Sequence, residues 1–283
     1  MQDLQTFLNV REMLASFLQE DIGAGDITSE SVVPAGREAK AEIICKSSTP
    51  AIVCGLEEAA MIFDICGCAS KALVKDGTKV GKGKWVMVIA GNARSILKAE
   101  RTALNLIMRM SGIATETRRL ADAAKGVQVL ATRKTAPGLR HFDKKAVVMG
   151  GGGAHRMRLD DMVLIKDNHL ALAGSPEECI GLAKKSAGSS IKVECEAKSK
   201  AEAIAAILAG ADIVMLDNFT PKQATATIKQ ITKMGLRKKV KIEISGGVNP
   251  KNIGLYARAK PDFISLGYIT HSARAVDFSL EIT

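Results

Sequence analysis

The runs 127–133 (VQVLATR), 162–166 (MVLIK), 191–196 (IKVECE), 212–217 (DIVMLD), 240–245 (VKIEIS) and 262–267 (DFISLG) decide how this chain folds. Each is a short apolar segment that closes on a polar residue or a glycine. Their ends fall 33, 30, 21, 28 and 22 residues apart, the stride of strand–helix units rather than of hairpins. Parallel strands of such a barrel share one rim at their C-terminal ends, where the loops build the active site. Arg133, Lys166, Glu196, Asp217, Ser245 and Gly267 are therefore expected around one pocket. Cations, carboxylates and a phosphate-sized gap in one place suit a highly anionic, metal-bound substrate. Helices fit between the strands at 176–187, 200–209, 221–234 and 250–257, and Pro176, Pro221 and Pro250 stand near their starts, where a missing N–H costs nothing.

The part before residue 127 reads differently. Residues 4–18 space Leu4, Phe7, Leu8, Met13, Leu14, Phe17 and Leu18 as one face of a helix. Residues 21–28 (DIGAGDIT) have the Gly and Asp content of a loop. Short strands are expected within 39–54 and 72–90, with a helix at 55–65 between them. Residues 95–124 are helical in pattern, with a break expected near Ser111-Gly112. This is an α+β segment. The stretch 273–283 lacks a seventh strand–helix unit and is expected to fold back on the N-terminal part.

The chain carries 40 Lys+Arg against 30 Asp+Glu, a net charge of +10, which invites a nucleic-acid reading. Aromatic residues are only 4%, with one Trp and two Tyr, too few to stack bases. The cations are also dispersed, so an anionic small molecule accounts for the excess better. The six cysteines lack paired CxxC spacing and read as buried thiols of a reducing cytosol. The N-terminus has early acidic residues and no signal-peptide core, and no run approaches the roughly 18 apolar residues of a membrane span. A cytoplasmic protein is expected.

Six groups of residues carry candidate chemistry. The stretch 132–140 (TRKTAPGLR) places Arg133, Lys134 and Arg140 just past the first strand; Arg grips a carboxylate or phosphate with two parallel hydrogen bonds. Gly150 to Gly153 precede His155-Arg156 and allow either close backbone approach to a ligand or a flexible loop; neither a Walker loop nor GxGxxG is present. Lys166 needs an anionic partner, a ligand or Glu196. Glu196 and Asp217 should be neighbours, as Mg²⁺ ligands, as an acid/base pair, or as partners of Lys134 or Lys166. Ser245-Gly246-Gly247 and Gly267 sit where late barrel loops offer N–H groups to a phosphate. Arg101, in ERTALN at 100–105, either pairs with Glu100 or serves a neighbouring subunit.

These segments converge on one family. DIGAGDIT (21–28), AERTALN (99–105), SGIAT (111–115), TRKTAPGLR (132–140), GGG with HR (151–156), LIKDNH (164–169), LDN (216–218) and SGG (245–247) resemble quinolinate phosphoribosyltransferase, nearly end to end. The resemblance implies an α/β protein: an N-terminal α/β sandwich domain (1–112, with the tail 271–283 packed back on it) and an incomplete parallel α/β barrel (113–270). It implies phosphoribosyl transfer from phosphoribosyl pyrophosphate to quinolinate with decarboxylation, assisted by Mg²⁺, in a homodimer or higher oligomer with shared sites. By motif, Arg101 would cross the interface to the substrate carboxylates. Arg133, His155, Arg156 and Lys166 would line the quinolinate pocket, and Lys134 would stand near quinolinate or pyrophosphate. Glu196 and Asp217 would sit by the ribose and Mg²⁺, and Ser245, Gly246 and Gly267 would hold the 5′-phosphate. Lys134, Lys166, Glu196 and Asp217 would carry the catalysis. Ala154 and Met157-Arg158 depart from the common pattern beside the His-Arg pair and are expected to alter pocket shape. A molybdenum-associated branch of the same fold is the alternative, and it usually lacks the intact K-T-x-P-G, L-I-K-D-N-H and E-R-T-A-L-N segments.

Overall fold

A computed structural model describes the backbone of residues 2–188 and 190–283, with side chains from residue 9 onward. The chain divides into two compact units, Met1–Glu116 with Ala273–Thr283, and Thr117–Ser272.

The first unit opens with helix α1 (Gln2–Ile22). Val10, Leu14 and Leu18, four apart, form its buried stripe; the expected Leu4, Phe7 and Leu8 face lies outside the described side chains. The anticipated loop at 21–28 is shorter than its composition suggests. Asp26 caps α2 (Ile27–Val32) by accepting from Ser29 N (3.0 Å), so a short helix begins where a loop was expected. Then come β1 (Glu38–Cys45), β2 (Ala51–Ile52), α3 (Leu56–Ile65), β3 (Ala69–Ala72), β4 (Lys79–Val80) and β5 (Trp85–Asn92). β5 lies antiparallel between β1 and β3, and β2 pairs with β4. Ala41, Ile43 and Cys45 alternate to one side of β1 and are fully buried.

Helix α4 (Ala93–Ala123) runs 31 residues through Ser111-Gly112 without interruption, so the expected break is absent. Gly112 has another reason. A Cβ there would stand 2.2 Å from the carbonyl oxygen of Arg274, on the returning C-terminal segment. Val276 N donates to Met108 O (3.0 Å) one turn away. Ser111 keeps the helix and turns its Oγ to accept from Cys54 N (2.9 Å).

The second unit contains β6 (Gln128–Leu130), α5 (Arg140–Met149), β7 (Val163–Ile165), α6 (Asp167–Ala173), α7 (Pro176–Ala187), β8 (Val193–Ala197), α8 (Lys200–Leu208), β9 (Ile213–Asp217), α9 (Pro221–Lys233), β10 (Lys241–Ser245), α10 (Ile253–Ala257), β11 (Phe263–Ser265) and α11 (Tyr268–His271). The strand β12 (Phe278–Ile282) then returns to the first unit and pairs antiparallel with β1. All six strands of the second unit are parallel, in the order β6-β11-β10-β9-β8-β7. First and last strands pair, whereas β6 and β7 do not, which leaves the barrel incomplete at that position.

The glycine run fills this position. Gly153 N donates to Val129 O (2.8 Å) and Ala131 N to Gly153 O (2.9 Å), a single parallel bridge on the free edge of β6. Cβ atoms at Gly152 and Gly153 would meet Thr117, Val147 and Leu130 within 2.8 Å. The run is thus neither a ligand cradle nor a flexible loop; it closes the edge of β6 in a space too narrow for side chains.

Capping boxes start α7 and α9, with Ser175 and Glu178 on the first and Thr220 and Gln223 on the second. α10 starts at Ile253, later than Pro250, because Asn249 and Asn252 first form their own turn (Asn249 N to Asn252 Oδ1, 2.8 Å). At the opposite end of the strands from the pocket, Asp262 staples β10 to β11. It accepts from Arg237 (2.6 Å), Lys241 (2.9 Å) and Ile242 N (2.9 Å). Burial alone would raise its pKa, but these partners outweigh it and hold the carboxyl below the usual aspartate range. A depressed folded pKa contributes stability above pH ~4 that is lost as pH falls through the folded value. Asp262→Asn is expected to cost about 2 kcal/mol at pH 7 and to flatten the acid limb. Urea unfolding at pH 7, 5 and 3.5 checks this, and an unchanged pH slope would remove Asp262 from the account.

Five of the six cysteines are buried and all are free. Burial pushes Cys68 to about 11 and Cys195 to about 12, so these thiols are inert. Among the described residues, no helix is long and apolar enough to cross a membrane.

Candidate active site

The C-terminal ends of the barrel strands surround a cavity of about 530 Å³. Arg133, Lys166, Glu196, Asp217 and Ser245 line it, as the strand spacing requires, together with Lys134, His155, Arg156, Asn218, Gly246 and Gly247. Gly267 does not. β11 ends at Ser265, so Gly267 already caps α11, and a Cβ there would lie 2.9 Å from Lys134 Cδ, behind the lysine stem. Arg101 stands on α4 in the first unit, 3.8 Å from Glu100, with its side chain 57% exposed.

Cations crowd one side of the cavity. Arg133 Nε is buried without a hydrogen-bond partner. Arg156 is buried, and burial and the charge of Arg133 both lower its pKa. Lys144, almost fully buried on α5, is depressed to about 8 by burial and by Arg140, with Arg133 and Arg156 adding to the effect. Like charges gathered this closely, one with an unanswered N–H, are costly unless an anion joins them. Arg140 stands beside them without lining the cavity, and it holds the loop. Its guanidinium donates to Thr135 Oγ1 (3.2 Å) and Met157 O (3.1 Å).

Carboxylates mark the other side. Glu196 accepts from Lys166 Nζ (3.0 Å), so of the two partners open to this lysine, a ligand or Glu196, the internal ion pair forms within the pocket wall. Burial raises the pKa of Glu196, the lysine opposes this, and Asp217 adds to the rise. Asp217 ends β9 and accepts from Asn218 Nδ2 (2.6 Å). Next to it, Gly246 takes φ +79 and Gly247 φ +64, a turn that a side chain would strain. A Cβ on Gly246 would also meet Asn218 Oδ1 at 2.3 Å.

His155 has a left-handed backbone (φ 52), which costs a non-glycine residue about 1 kcal/mol or more. Its ring Nδ1 accepts from Arg156 N (2.8 Å), and Nε2 lies 3.2 Å from Glu243 and 3.4 Å from Glu194. Burial pulls His155 down, but the two carboxylates outweigh it and raise it to about 9. The N–H donated to Nδ1 works against full protonation, and it assigns the ring proton to Nε2, between the carboxylates.

Sequence models for both halves of one family match this chain. The N-terminal domain model of quinolinate phosphoribosyl transferase matches residues 26–111, and the C-terminal domain model matches 113–281. The chain belongs to the quinolinate phosphoribosyl transferase family. It is 41% identical to the "Probable nicotinate-nucleotide pyrophosphorylase (carboxylating)" of Methanothermobacter thermautotrophicus, covering 96% of this chain and 98% of that one. The rat nicotinate-nucleotide pyrophosphorylase (carboxylating) is 37% identical, over 94% and 89%. The solved nicotinate-nucleotide pyrophosphorylase of Francisella tularensis superposes with a TM-score of 0.89 at 37% identity, over 97% and 96%.

Within this quinolinate phosphoribosyl transferase barrel, sequence reasoning missed Lys144, Glu194 and Glu243. The signal for the acids was present. Glu194 and Glu196 alternate along β8, as do Glu243 and Ser245 along β10, so each acid sits on the same face one layer below a rim residue. Lys144 carried no such signal, since it reads as one of many helix lysines. The departures at Ala154, Met157 and Arg158 do not line the cavity. Asp161 accepts from Met157 N (2.5 Å) and Arg158 N (3.1 Å), and Arg158 turns out to Asp160 (2.9 Å).

Proposed function

We propose that this protein transfers the phosphoribosyl group of phosphoribosyl pyrophosphate to the ring nitrogen of quinolinate, with loss of CO2, giving nicotinate mononucleotide and pyrophosphate. The observation that carries this reading is the set of cations Arg133, Arg156 and Lys166 lining one cavity, with the charge of Arg133 lowering the pKa of Arg156. A ring with two adjacent carboxylates answers Arg133 and Arg156 together. The names of the relatives support the same reaction and favour it over a molybdenum-associated role.

In this reading the ring nitrogen attacks C1 of the ribose while the C1–O bond to pyrophosphate breaks, its electron pair leaving on pyrophosphate. Positive charge grows on the ribose, beside Glu196 and Asp217, whose carboxylates oppose it electrostatically. Lys134 meets the negative charge of the leaving group. The carboxylate next to the ring nitrogen then departs as CO2, its bonding pair passing into the cationic ring, and the ring carbon takes a proton. Arg133, Arg156 and Lys166 hold the carboxylates so that nitrogen faces C1, while His155, whose two ring nitrogens are engaged by Arg156 N and by Glu243, shapes the wall beside them; positioning of this kind supplies a large share of a bimolecular barrier. Ser245, Gly246 and Gly247 take the 5′-phosphate; Gly267 supports this from behind Lys134.

Glu196 and Asp217 fit Mg²⁺. Each commits one oxygen, to Lys166 and to Asn218, and among the described residues the other accepts no hydrogen bond. Two carboxylates with substrate oxygens and water make the all-oxygen set that this ion takes. When bound, Mg²⁺ supplies charge neutralisation at the pyrophosphate. Arg101, more than half exposed on α4, is assigned to the pocket of a second subunit, which makes a homodimer the working unit.

Incubation with quinolinate, phosphoribosyl pyrophosphate and Mg²⁺ should release nicotinate mononucleotide and CO2 in equal amounts. Folded protein that yields neither would overturn the reading. Chelation with EDTA should suppress turnover at least a hundredfold, with recovery on adding Mg²⁺; full turnover in EDTA would remove the ion from the scheme.

A further inference from the structure

Under the pocket, the His155-Arg156 pair is held by three elements of the barrel. Lys144 on α5 donates to the carbonyl oxygens of Ala154 (2.5 Å) and of Arg156, one on each side of His155. Both carbonyls belong to the turn that forces His155 into its left-handed backbone. A buried ammonium bridging them keeps this turn from relaxing, and water cannot replace it there, because Lys144 is 1% exposed. The ring is fixed from the other end. Its Nδ1 accepts from Arg156 N, so Nε2 carries the proton and points it at Glu243 on β10. Glu243 is itself oriented by Ser265, whose Oγ lies 2.5 Å from its Oε1. Glu194 on β8 stands 3.4 Å from the same Nε2, with both oxygens buried and, among the described residues, accepting no hydrogen bond.

The nitrogen and carboxylate atoms of His155, Glu194 and Glu243 lie within 4.8 Å of one another, a spacing that a cation could use. The hydrogen bond at Nδ1 argues against that use. A ring that accepts at Nδ1 carries its proton on Nε2, and a protonated Nε2 has no lone pair for a metal. The two carboxylates instead form a fixed acceptor wall behind the ring.

We propose that Lys144, Glu243 and Glu194 are positioning residues that lock the backbone and ring of the His155-Arg156 pair, and through it set the pocket's affinity for a pyridine dicarboxylate. This rests on the reaction proposed above. None of the three is among the cavity-lining residues, so they act through His155 and Arg156. Their loss should therefore tell on one substrate and spare the other.

The test uses Glu243→Gln, which keeps size and shape, and Lys144→Met, which keeps the stem. Each should raise KM for quinolinate at least tenfold while KM for phosphoribosyl pyrophosphate stays within about twofold and kcat within about threefold. A parallel rise in both KM values, or no change in either, would overturn the proposal. Nitrogen-15 spectra of the ring provide a readout that needs no turnover. The chain has four histidines, so His155→Gln assigns the signal. In spectra recorded above pH 9, where the ring is neutral, wild-type His155 should show protonated Nε2 and unprotonated Nδ1, and Glu243→Gln should lose this single tautomer. If wild-type protein turns over no quinolinate, the proposed reaction falls, and the ring spectra alone decide the positioning. An unchanged ring signal in Glu243→Gln would then refute it. Should Lys144→Met fail to fold, Glu243→Gln carries both arms.

Discussion

Arg133→Ala is expected to lower kcat/KM for quinolinate about 10³-fold. Arg133 lines the cavity beside Arg156, and among the described residues its Nε finds no partner, so the guanidinium charge is left for an anionic ligand. Truncating one member of a desolvated, charge-assisted pair costs about 2–5 kcal/mol, and each 1.4 kcal/mol is a factor of ten. The loss should fall mainly on quinolinate, because the arginine stands on the cation side of the cavity, among Arg156 and Lys144. Arg133→Lys should recover little, since an ammonium cannot form two parallel bonds to one carboxylate. Removing the charge should also relieve its neighbours, so Tm is expected to hold or rise slightly. Steady-state kinetics with each substrate varied in turn decide the matter. A change in kcat/KM for quinolinate of less than threefold would end the assignment.

Gly112→Ala is expected to destabilise the protein by about 3 kcal/mol, and the sign is the informative part. In the middle of an ordinary helix the same replacement stabilises by roughly 0.5–1 kcal/mol. Here the new methyl would stand 2.2 Å from the carbonyl oxygen of Arg274 and 2.9 Å from its carbon. Both are backbone atoms, so no side-chain rotation relieves the clash. The returning segment must shift, which weakens the Val276 to Met108 hydrogen bond and the pairing of β12 with β1. Thermal unfolding and amide hydrogen exchange check this together. Tm should fall by several degrees, and the amides of Phe278–Ile282 should exchange faster. A raised Tm would mean that Gly112 is only a weak helix former, with no part in seating the C-terminus.

Gly112 also shows where local reading stops. Ser111-Gly112 carries the composition of a helix break, and nothing nearby in the chain argues otherwise. The contact that explains the glycine comes from a residue far along the chain, Arg274, and local pattern holds no trace of it. The glycines at 150–153 repeat the lesson. Their composition permits a ligand cradle or a loose loop, yet Gly152 and Gly153 are required by Thr117, Val147 and Leu130, which only the closed β6 edge brings together. Gly267 is not part of the cavity lining for a related reason. The apolar run ends there, but pairing stops at Ser265, and two residues of helix start carry the glycine out of the cavity wall.

The rim, in contrast, was readable from spacing. Parallel strands buried on both faces are near-continuous apolar runs, so each end is a sharp polar boundary, and parallel order puts those boundaries on one side. That is why Arg133, Lys166, Glu196, Asp217 and Ser245 surround one cavity as their positions in the chain require. Pro176 and Pro221 marked the starts of α7 and α9 equally plainly, since a proline at the first position gives up no hydrogen bond. Side-chain charge state and partner choice have no such local cause. Whether Lys166 met Glu196, whether Arg140 faced the cavity, and which lysine lay buried depended on distances between segments tens of residues apart. So the residue types and their period specified the barrel and the residues of its rim. Burial and the long-range contacts among Lys144, His155, Glu194 and Glu243 settled how that rim is held, because desolvation and Coulomb interaction act through space and not along the chain.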